Sequence, residues 1–175
     1  MRADPQASPL NLDLTEDALV PSAAKQSSRG LGHDTARQAV AILQGKDAAY
    51  RAPTKAERNA LLVGFAMRQK VLYGAAYDMV RLDRELDLTS PEAIASAIEA
   101  ITLLEIKSTN RAAMKADLKG YFFNITAAEL LTAQSLGDQY RFLFVNTLTG
   151  EHSEMGLNEV FGRARAMYPA WHIRF

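Results

Sequence analysis

Two oppositely charged residues, Glu105 and Lys107, interrupt the most apolar strand pattern in the chain, ITLLEIKST from Ile101 to Thr109. Residues two apart on a strand project to the same face, with their Cα atoms roughly 7 Å apart. The carboxylate and the ammonium therefore stand side by side. Burying charges costs free energy unless each has a partner. The pair is predicted to lie either in a functional site or in a surface ion pair on an edge strand.

A carboxylate beside a lysine supplies two of the groups that a metal-dependent hydrolase uses. The carboxylate can hold a hard divalent cation such as Mg²⁺. The lysine can orient or help to deprotonate the attacking water, and it can neutralise phosphate charge. A second carboxylate is needed to hold the metal. Asp78, on the otherwise apolar face of a predicted strand from Tyr77 to Leu82, is one candidate, and Asp83 and Asp87 in the following loop are the alternatives.

Two capping boxes predict helices that frame these strands. Thr54 and Glu57 begin one helix, and Thr126 and Glu129 begin another, with threonine at the N-cap and glutamate at N3. We interpret both glutamates as capping residues. The second of these helices is expected to stop at Gly137, since glycine commonly ends helices.

The remaining elements follow from periodicity and from turn residues. Helices are predicted over Asp34 to Leu43, from the Ser90-Pro91 start to Ala100, and over Asn158 to Met167; strands are predicted over Gly120 to Ile125, Tyr140 to Thr147 and Trp171 to Phe175. The pattern predicts one α/β domain with a single sheet. Residues 1–32 are expected to form a flexible tail, 33–53 a helical extension, 54–147 the core, and 148–175 a C-terminal helix and strand.

Composition limits the classes of function. Hydrophobic residues make up 48% of the 175 residues and charged residues 23%, which is enough apolar side chain for a core. Lys plus Arg and Asp plus Glu are both 20, which excludes a strongly basic nucleic-acid coat but not a local basic groove. With no cysteine, a disulfide scaffold, a thiolate zinc site and a cysteine nucleophile are excluded. No apolar run suits a membrane span or a secretory signal, so we expect a cytoplasmic protein.

Asp78 followed by Glu105-Ile106-Lys107, set between a leading helix and a trailing strand–helix–strand, resembles the PD-(D/E)XK nuclease superfamily. The longer runs are similar to one subgroup, the restriction-endonuclease-like domain found at the C-terminus of the plant protein NO VEIN and in many bacterial proteins. These runs are LEIKST at 104–109, YFFNITAAEL at 121–130 and LGDQYRFLFV at 136–145. The resemblance covers roughly 54–147.

The resemblance implies a restriction-endonuclease-like mixed sheet with an α-β-β-β-α-β core and a helical N-terminal extension. It also implies metal ligation by Asp78, Glu105 and the carbonyl of Ile106, with Lys107 as the catalytic lysine. The implied cofactor is Mg²⁺ or Mn²⁺, and the implied partner is nucleic acid, with DNA expected. The chain departs from the pattern in having no proline before the acid and a long stretch over 82–100, which keeps the second acid open.

Several other polar residues are candidates for contacts with a substrate. Arg111, Lys115 and Lys119 follow the central strand and are candidates for binding phosphates. Gln134 shares a helix face with Leu130, so we expect it to point toward the sheet, where it either bonds to backbone or lines the site.

Three functions remain open from the sequence. The first is a metal-dependent phosphodiester hydrolase. The second is an inactive module of the same fold that binds DNA or a protein partner, a homodimer included. The third is a small interaction module in which the charged pair has no chemical role. Convergence of Asp78, Glu105 and Lys107 in the folded chain favours the first, because two carboxylates must come close to share a cation.

Overall fold

A five-stranded mixed sheet with helices on both faces organises the chain. The computed structural model describes residues 28–112 and 121–168, with side chains from residue 34 onward. The helices are α1 (Ser28–Lys46), α2 (Lys55–Met67), α3 (Pro91–Ser96), α4 (Ala127–Leu136) and α5 (Leu157–Arg163); the strands are β1 (Tyr50–Arg51), β2 (Met79–Leu82), β3 (Ile101–Thr109), β4 (Tyr140–Asn146) and β5 (His152–Met155). The expected α/β class is confirmed.

The strand order in the sheet is β1-β2-β3-β4-β5, so β3 is the central strand. β3 pairs with β4 in parallel, whereas the other neighbouring strands are antiparallel. The first six residues of β3 are buried, as a strand covered on both faces requires. The prediction that Ile101 to Thr109 forms a central strand is confirmed.

Each face of the sheet carries its own hydrophobic core. On one face Leu103 and Phe142 pack with the buried residues of α2, α3 and α4, such as Phe65. On the other face Leu104 and Leu143 pack beneath α1. Glu105 and Lys107 alternate with Leu104 along β3, so they lie on the face that α2 and α4 cover.

The predicted helix starts are set by short-range hydrogen bonds. The Thr54 side chain accepts from the Glu57 N–H and the Glu57 carboxylate accepts from the Thr54 N–H, so the capping box of α2 is confirmed. The capping box of α4 is confirmed in the same way. The last residue of α4 is Leu136, and Gly137 follows it as the C-cap, with a φ of 57° that suits a glycine. No helix in the described parts of the chain is long and apolar enough to cross a membrane.

A close crossing of α2 and α3 requires a glycine. A Cβ added at Gly64 would lie 2.7 Å from the Ile94 Cβ and 3.0 Å from the Pro91 carbonyl. The side chain of Ile94 is fully buried there. Because a backbone carbonyl cannot move aside as a flexible side chain can, Gly64 fixes how closely the two helices approach.

The first helix is longer than the sequence indicated. A helix was predicted over Asp34 to Leu43, but α1 begins at Ser28 and ends at Lys46. The expected boundary of a tail at residue 32 therefore falls inside a helix, and the part of that tail over 1–27 lies outside the described residues. The helical extension of 33–53 also contains β1. Ala39 and Leu43, within the predicted range, pack against the sheet.

The third strand of the expected α-β-β-β-α-β core is absent from the described residues. Residues 121–125 were predicted as part of a strand, but they pair with no other strand. Both edges of β3 are already occupied by β2 and β4. The segment instead packs across the sheet, with the rings of Tyr121 and Phe123 against Phe144. Its alternating pattern reflects one packed side and one exposed side, not strand pairing.

The C-terminal region also differs from its prediction. β5 was not predicted, because His152–Met155 is mostly polar and lies at an edge of the sheet. The helix predicted over Asn158 to Met167 ends at Arg163. The predicted strand from Trp171 to Phe175 lies outside the described residues.

Candidate functional site

Asp78 lies opposite Glu105 at the start of β2. The register pairs Met79 with Leu104, and one further step along both strands sets Asp78 beside Glu105. The Asp78 N–H donates to the Leu104 carbonyl at 2.9 Å. Its carboxylate accepts from the Ile106 N–H at 2.9 Å and so takes the place of a strand carbonyl where β2 has not yet begun.

Lys107 joins two carboxylates from different elements. Its Nζ is 2.9 Å from Glu105 Oε1 on the same strand and 2.8 Å from Glu129 Oε2 at the start of α4. The side chains of all three are between 7% and 11% exposed. The side-by-side placement of Glu105 and Lys107 is confirmed, and the pair is in the interior, not on an edge strand as the alternative reading required.

The charges in this cluster shift each other's titration. Burial raises the pKa of Glu105 to about 8, the Asp78 carboxylate adds to the rise, and the Lys107 ammonium opposes it. Burial lowers the pKa of Lys107, but Glu105 and Glu129 outweigh burial, so the pKa is raised overall. Lys107 therefore stays an ammonium at neutral pH. The cluster thus holds a positive charge between two acidic side chains.

A buried tyrosine lies close to this cluster. The Tyr140 hydroxyl donates to the Ala76 carbonyl, and its ring packs edge-on against Phe142. Burial raises the pKa of Tyr140, and the carboxylates Glu105, Glu129 and Asp78 raise it further. Tyr140 therefore stays neutral, and its buried ring lies beside the cluster on the β4 side.

The oxygen atoms at the start of β2 are the described atoms that could hold a hard cation beside Glu105. Within 28–112 and 121–168, no three His, Asp or Glu side chains form a group ready to hold a metal ion. The available set consists of the carboxylates of Asp78 and Glu105 and the carbonyl of Ile106. A strand residue directs its N–H and C=O toward the same neighbour, so the Ile106 carbonyl faces the side on which Asp78 lies. Oxygen ligands of this kind are the ones that Mg²⁺ takes in proteins.

The alternative acids lie away from this cluster. Leu82, next to Asp83, pairs with Ile101 at the beginning of β3, whereas Glu105 lies four residues further along. Asp83 and Asp87 are exposed, and Asp87 accepts hydrogen bonds from Thr89 in its own loop. Of the three acids, the structure brings only Asp78 beside Glu105.

The candidate phosphate-binding residues are only partly described. Arg111 is exposed just after β3, and its carbonyl accepts from the Asn146 side chain. Lys115 and Lys119 lie outside the described residues. Gln134 is exposed and does not point toward the sheet as expected. It lines an open depression of about 730 Å³ with Arg141 and Phe161, beyond the C-terminal half of α4.

Sequence reasoning missed two residues of the site. Glu129 was interpreted as a cap only, but the same Oε2 atom accepts from the Thr126 N–H and from Lys107. Arg58 was not considered, although it holds the Asp78 backbone through the Asp78 carbonyl. A signal existed for Arg58, because it shares the buried stripe of α2 with Leu61 and Phe65 at spacings of three and seven.

Comparison of the chain with protein-family models, with curated proteins and with solved structures gives no match.

Proposed function

We propose that this chain is a metal-dependent phosphodiester hydrolase that acts on nucleic acid, built on a restriction-endonuclease-like core. The observation that supports it most is the convergence of Asp78, Glu105 and Lys107 on one face of the sheet, which was the criterion set from the sequence. Fold alone does not decide function. The proposal therefore depends on these side chains and on the sequence resemblance.

Asp78, Glu105 and the Ile106 carbonyl would hold the metal in this proposal. A bound Mg²⁺ would supply Lewis-acid activation of the phosphodiester. The chain's own contribution is to fix the oxygens. The Ile106 N–H orients the Asp78 carboxylate, and the central strand holds Glu105 opposite it.

Lys107 would stabilise the negative charge that develops on the phosphate. The two carboxylates on its Nζ keep it protonated and fix its position. A preorganised cation in a buried site stabilises such charge more strongly than a cation in water does.

The rival function is a catalytically silent module of the same fold that binds nucleic acid or a protein partner. One observation favours it. The Lys107 ammonium bonds to Glu105 and Glu129, and the Asp78 carboxylate accepts from the Ile106 N–H. Groups that satisfy one another in this way can serve stability alone.

A nuclease assay tests the proposal. Single-stranded DNA, double-stranded DNA and RNA are incubated with the protein in Mg²⁺ or in Mn²⁺, beside the variants Lys107→Ala and Glu105→Gln. The second variant removes a charge at nearly constant shape, so it is expected to fold even if the first does not. Lys55→Ala, at an exposed position on α2, is the matched control.

Hydrolysis by the wild type and by Lys55→Ala, lost in both site variants and without metal, supports the proposal. Hydrolysis that survives in Glu105→Gln contradicts the assigned site. Absence of hydrolysis on all three substrates with both metals, together with retention of a labelled oligonucleotide or a protein, supports the rival.

A further inference from the structure

The backbone just before β2 is held by an arginine from another element. Arg58, in the first turn of α2, donates from one guanidinium nitrogen to the Tyr77 carbonyl at 2.8 Å and from the other to the Asp78 carbonyl at 2.9 Å. Its guanidinium carbon also lies 4.7 Å from the centre of the Tyr77 ring. Tyr77 is only 2% exposed, so the ring is a fixed support for the cation.

These contacts replace strand pairing where it is missing. β2 begins at Met79, so Tyr77 and Asp78 precede the paired residues, although the Asp78 N–H still reaches the Leu104 carbonyl. Carbonyls in a partly buried segment need donors. Arg58 provides two donors from one rigid plane, and this fixes the orientation of the peptide that carries Asp78.

The orientation of that peptide determines where the Asp78 carboxylate points. The side chain has few rotatable bonds, so its carboxylate reaches the Ile106 N–H, opposite Glu105, only from a narrow range of backbone positions. We infer that Arg58 is a positioning residue, which holds Asp78 in register with Glu105 by clamping the two carbonyls before β2. Its consequence for metal binding depends on the proposed function above.

The clamp requires arginine and not only a positive charge. A planar guanidinium reaches two neighbouring carbonyls at once and stacks on an aromatic ring, whereas the lysine ammonium is a point charge on a flexible stem. Arg58→Lys keeps the charge and the helix propensity but loses the pair of nitrogens that reaches both carbonyls. Arg51→Lys is a matched control, because Arg51 lies near the same helix start and pairs with Glu57 instead.

The first measurement is amide hydrogen exchange at Ile106, read by NMR in the wild type, Arg58→Lys, Arg51→Lys and Asp78→Ala. Asp78→Ala removes the acceptor and sets the rate for a lost bond. We expect Ile106 to exchange about tenfold faster in Arg58→Lys than in the wild type and at the wild-type rate in Arg51→Lys. Global unfolding, followed at buried amides of β4, serves as the reference. If Arg58→Lys leaves the exchange rate of the Ile106 amide unchanged relative to that reference, the inference is overturned.

The second measurement is a titration of the thermal midpoint with Mn²⁺. If the wild type responds, the Mn²⁺ concentration at half effect should rise about tenfold in Arg58→Lys and stay unchanged in Arg51→Lys. An equal response in both variants overturns the positioning role for the metal site. A wild type without any response, and without hydrolysis, counts against the proposed function, whereas Ile106 exchange still decides the role of Arg58.

Discussion

Lys107 and Arg141 each lie between two carboxylates, and in both cases one of the carboxylates caps a helix. Around Lys107 the distances are 2.9 Å to Glu105 and 2.8 Å to Glu129. All three of these side chains are about nine-tenths buried. The cation joins the central strand to the start of α4, and no solvent-exposed carboxylate takes part.

The second cluster also consists of one basic and two acidic side chains, but its acids are exposed to solvent. Arg141 is 3.3 Å from Asp138 and 3.4 Å from Glu159, and these acids are 98% and 53% exposed. Glu159 accepts from the Gly156 N–H at the start of α5, as Glu129 does at the start of α4. The exposure of the two acids leaves their charges well solvated.

The difference teaches that burial, and not the choice of residues, makes the charges of the first cluster act strongly on one another. Coulombic interactions grow as the effective dielectric constant falls, so the buried charges change each other's titration. The pKa of Glu105 rises, whereas exposed ion pairs are screened and contribute little. The comparison can be tested by making the same change in both clusters.

Removing the central cation should give the largest difference. We expect Lys107→Met to lower the free energy of unfolding by about 3–5 kcal/mol, because it removes the cation that both buried acidic side chains contact. Arg141→Met should cost at most about 1 kcal/mol. Urea denaturation of both variants and the wild type measures the losses. Equal losses would show that the two clusters do not differ in this way.

Changing pH should separate the clusters next. The pKa of Glu105 is about 8 in the folded chain and takes the ordinary value of 4.5 in the unfolded chain. Between these two pH values the folded chain keeps the Glu105 proton, whereas the unfolded chain loses it. Stability from this group is therefore complete below about pH 4.5 and is lost as the pH rises through 8. The loss should be a few kcal/mol, since each pH unit between these two values costs up to about 1.4 kcal/mol.

Denaturation between pH 5 and pH 9 checks this dependence. The decline should be absent from Glu105→Gln and present in Asp138→Asn, which makes the same type of change in the exposed cluster. A wild type whose stability does not fall over this range would contradict the raised pKa of Glu105.

A divalent cation should stabilise the protein through the buried cluster alone. At ten times its dissociation constant, Mg²⁺ or Mn²⁺ should add about 1.4 kcal/mol, because it binds the native state and relieves the repulsion between Asp78 and Glu105. Thermal shift measures the effect, which should disappear in Glu105→Gln and remain in Asp138→Asn. A Glu105→Gln protein that responds like the wild type would remove Glu105 from the metal site.

Salt should produce the smallest effect. Raising the ionic strength from 0.1 M to 1 M shortens the Debye length from about 10 Å to about 3 Å. A double-mutant cycle on Arg141 and Glu159 should then lose its coupling of a few tenths of a kcal/mol. The coupling of Lys107 to Glu129 should keep most of its value, since solvent ions do not reach a buried pair. Equal sensitivity to salt would indicate that water enters the first cluster.

The elements that the sequence predicted well depend on neighbours along the chain. Thr54 and Thr126 begin their helices through hydrogen bonds within four residues, so the signal lies in one short window. The unbroken apolar run of β3 indicates coverage on both faces wherever its neighbours come from. The pairing of Glu105 with Lys107 follows from the period of two within one strand.

Other features depended on elements far apart in the chain. The alternation of 121–125 was genuine, but pairing required a free strand edge, and β3 had none. The first helix continues on both sides of its predicted range, beyond the residues that the local pattern marked. The exposure of Gln134 was set by the orientation of α4, because helix periodicity alone does not say which face meets the sheet.

The sequence by itself determined the α/β class, the two capped helices, the central strand and a carboxylate–lysine pair on one face of it. Tertiary structure decided that Asp78, and neither Asp83 nor Asp87, stands beside that pair, because strand register is a property of two segments and not of one. It also placed Glu129, which caps α4, beside Lys107. Local hydrogen bonds and periodicity are encoded within a few residues, whereas the surroundings of a charge are fixed only when distant elements pack around it.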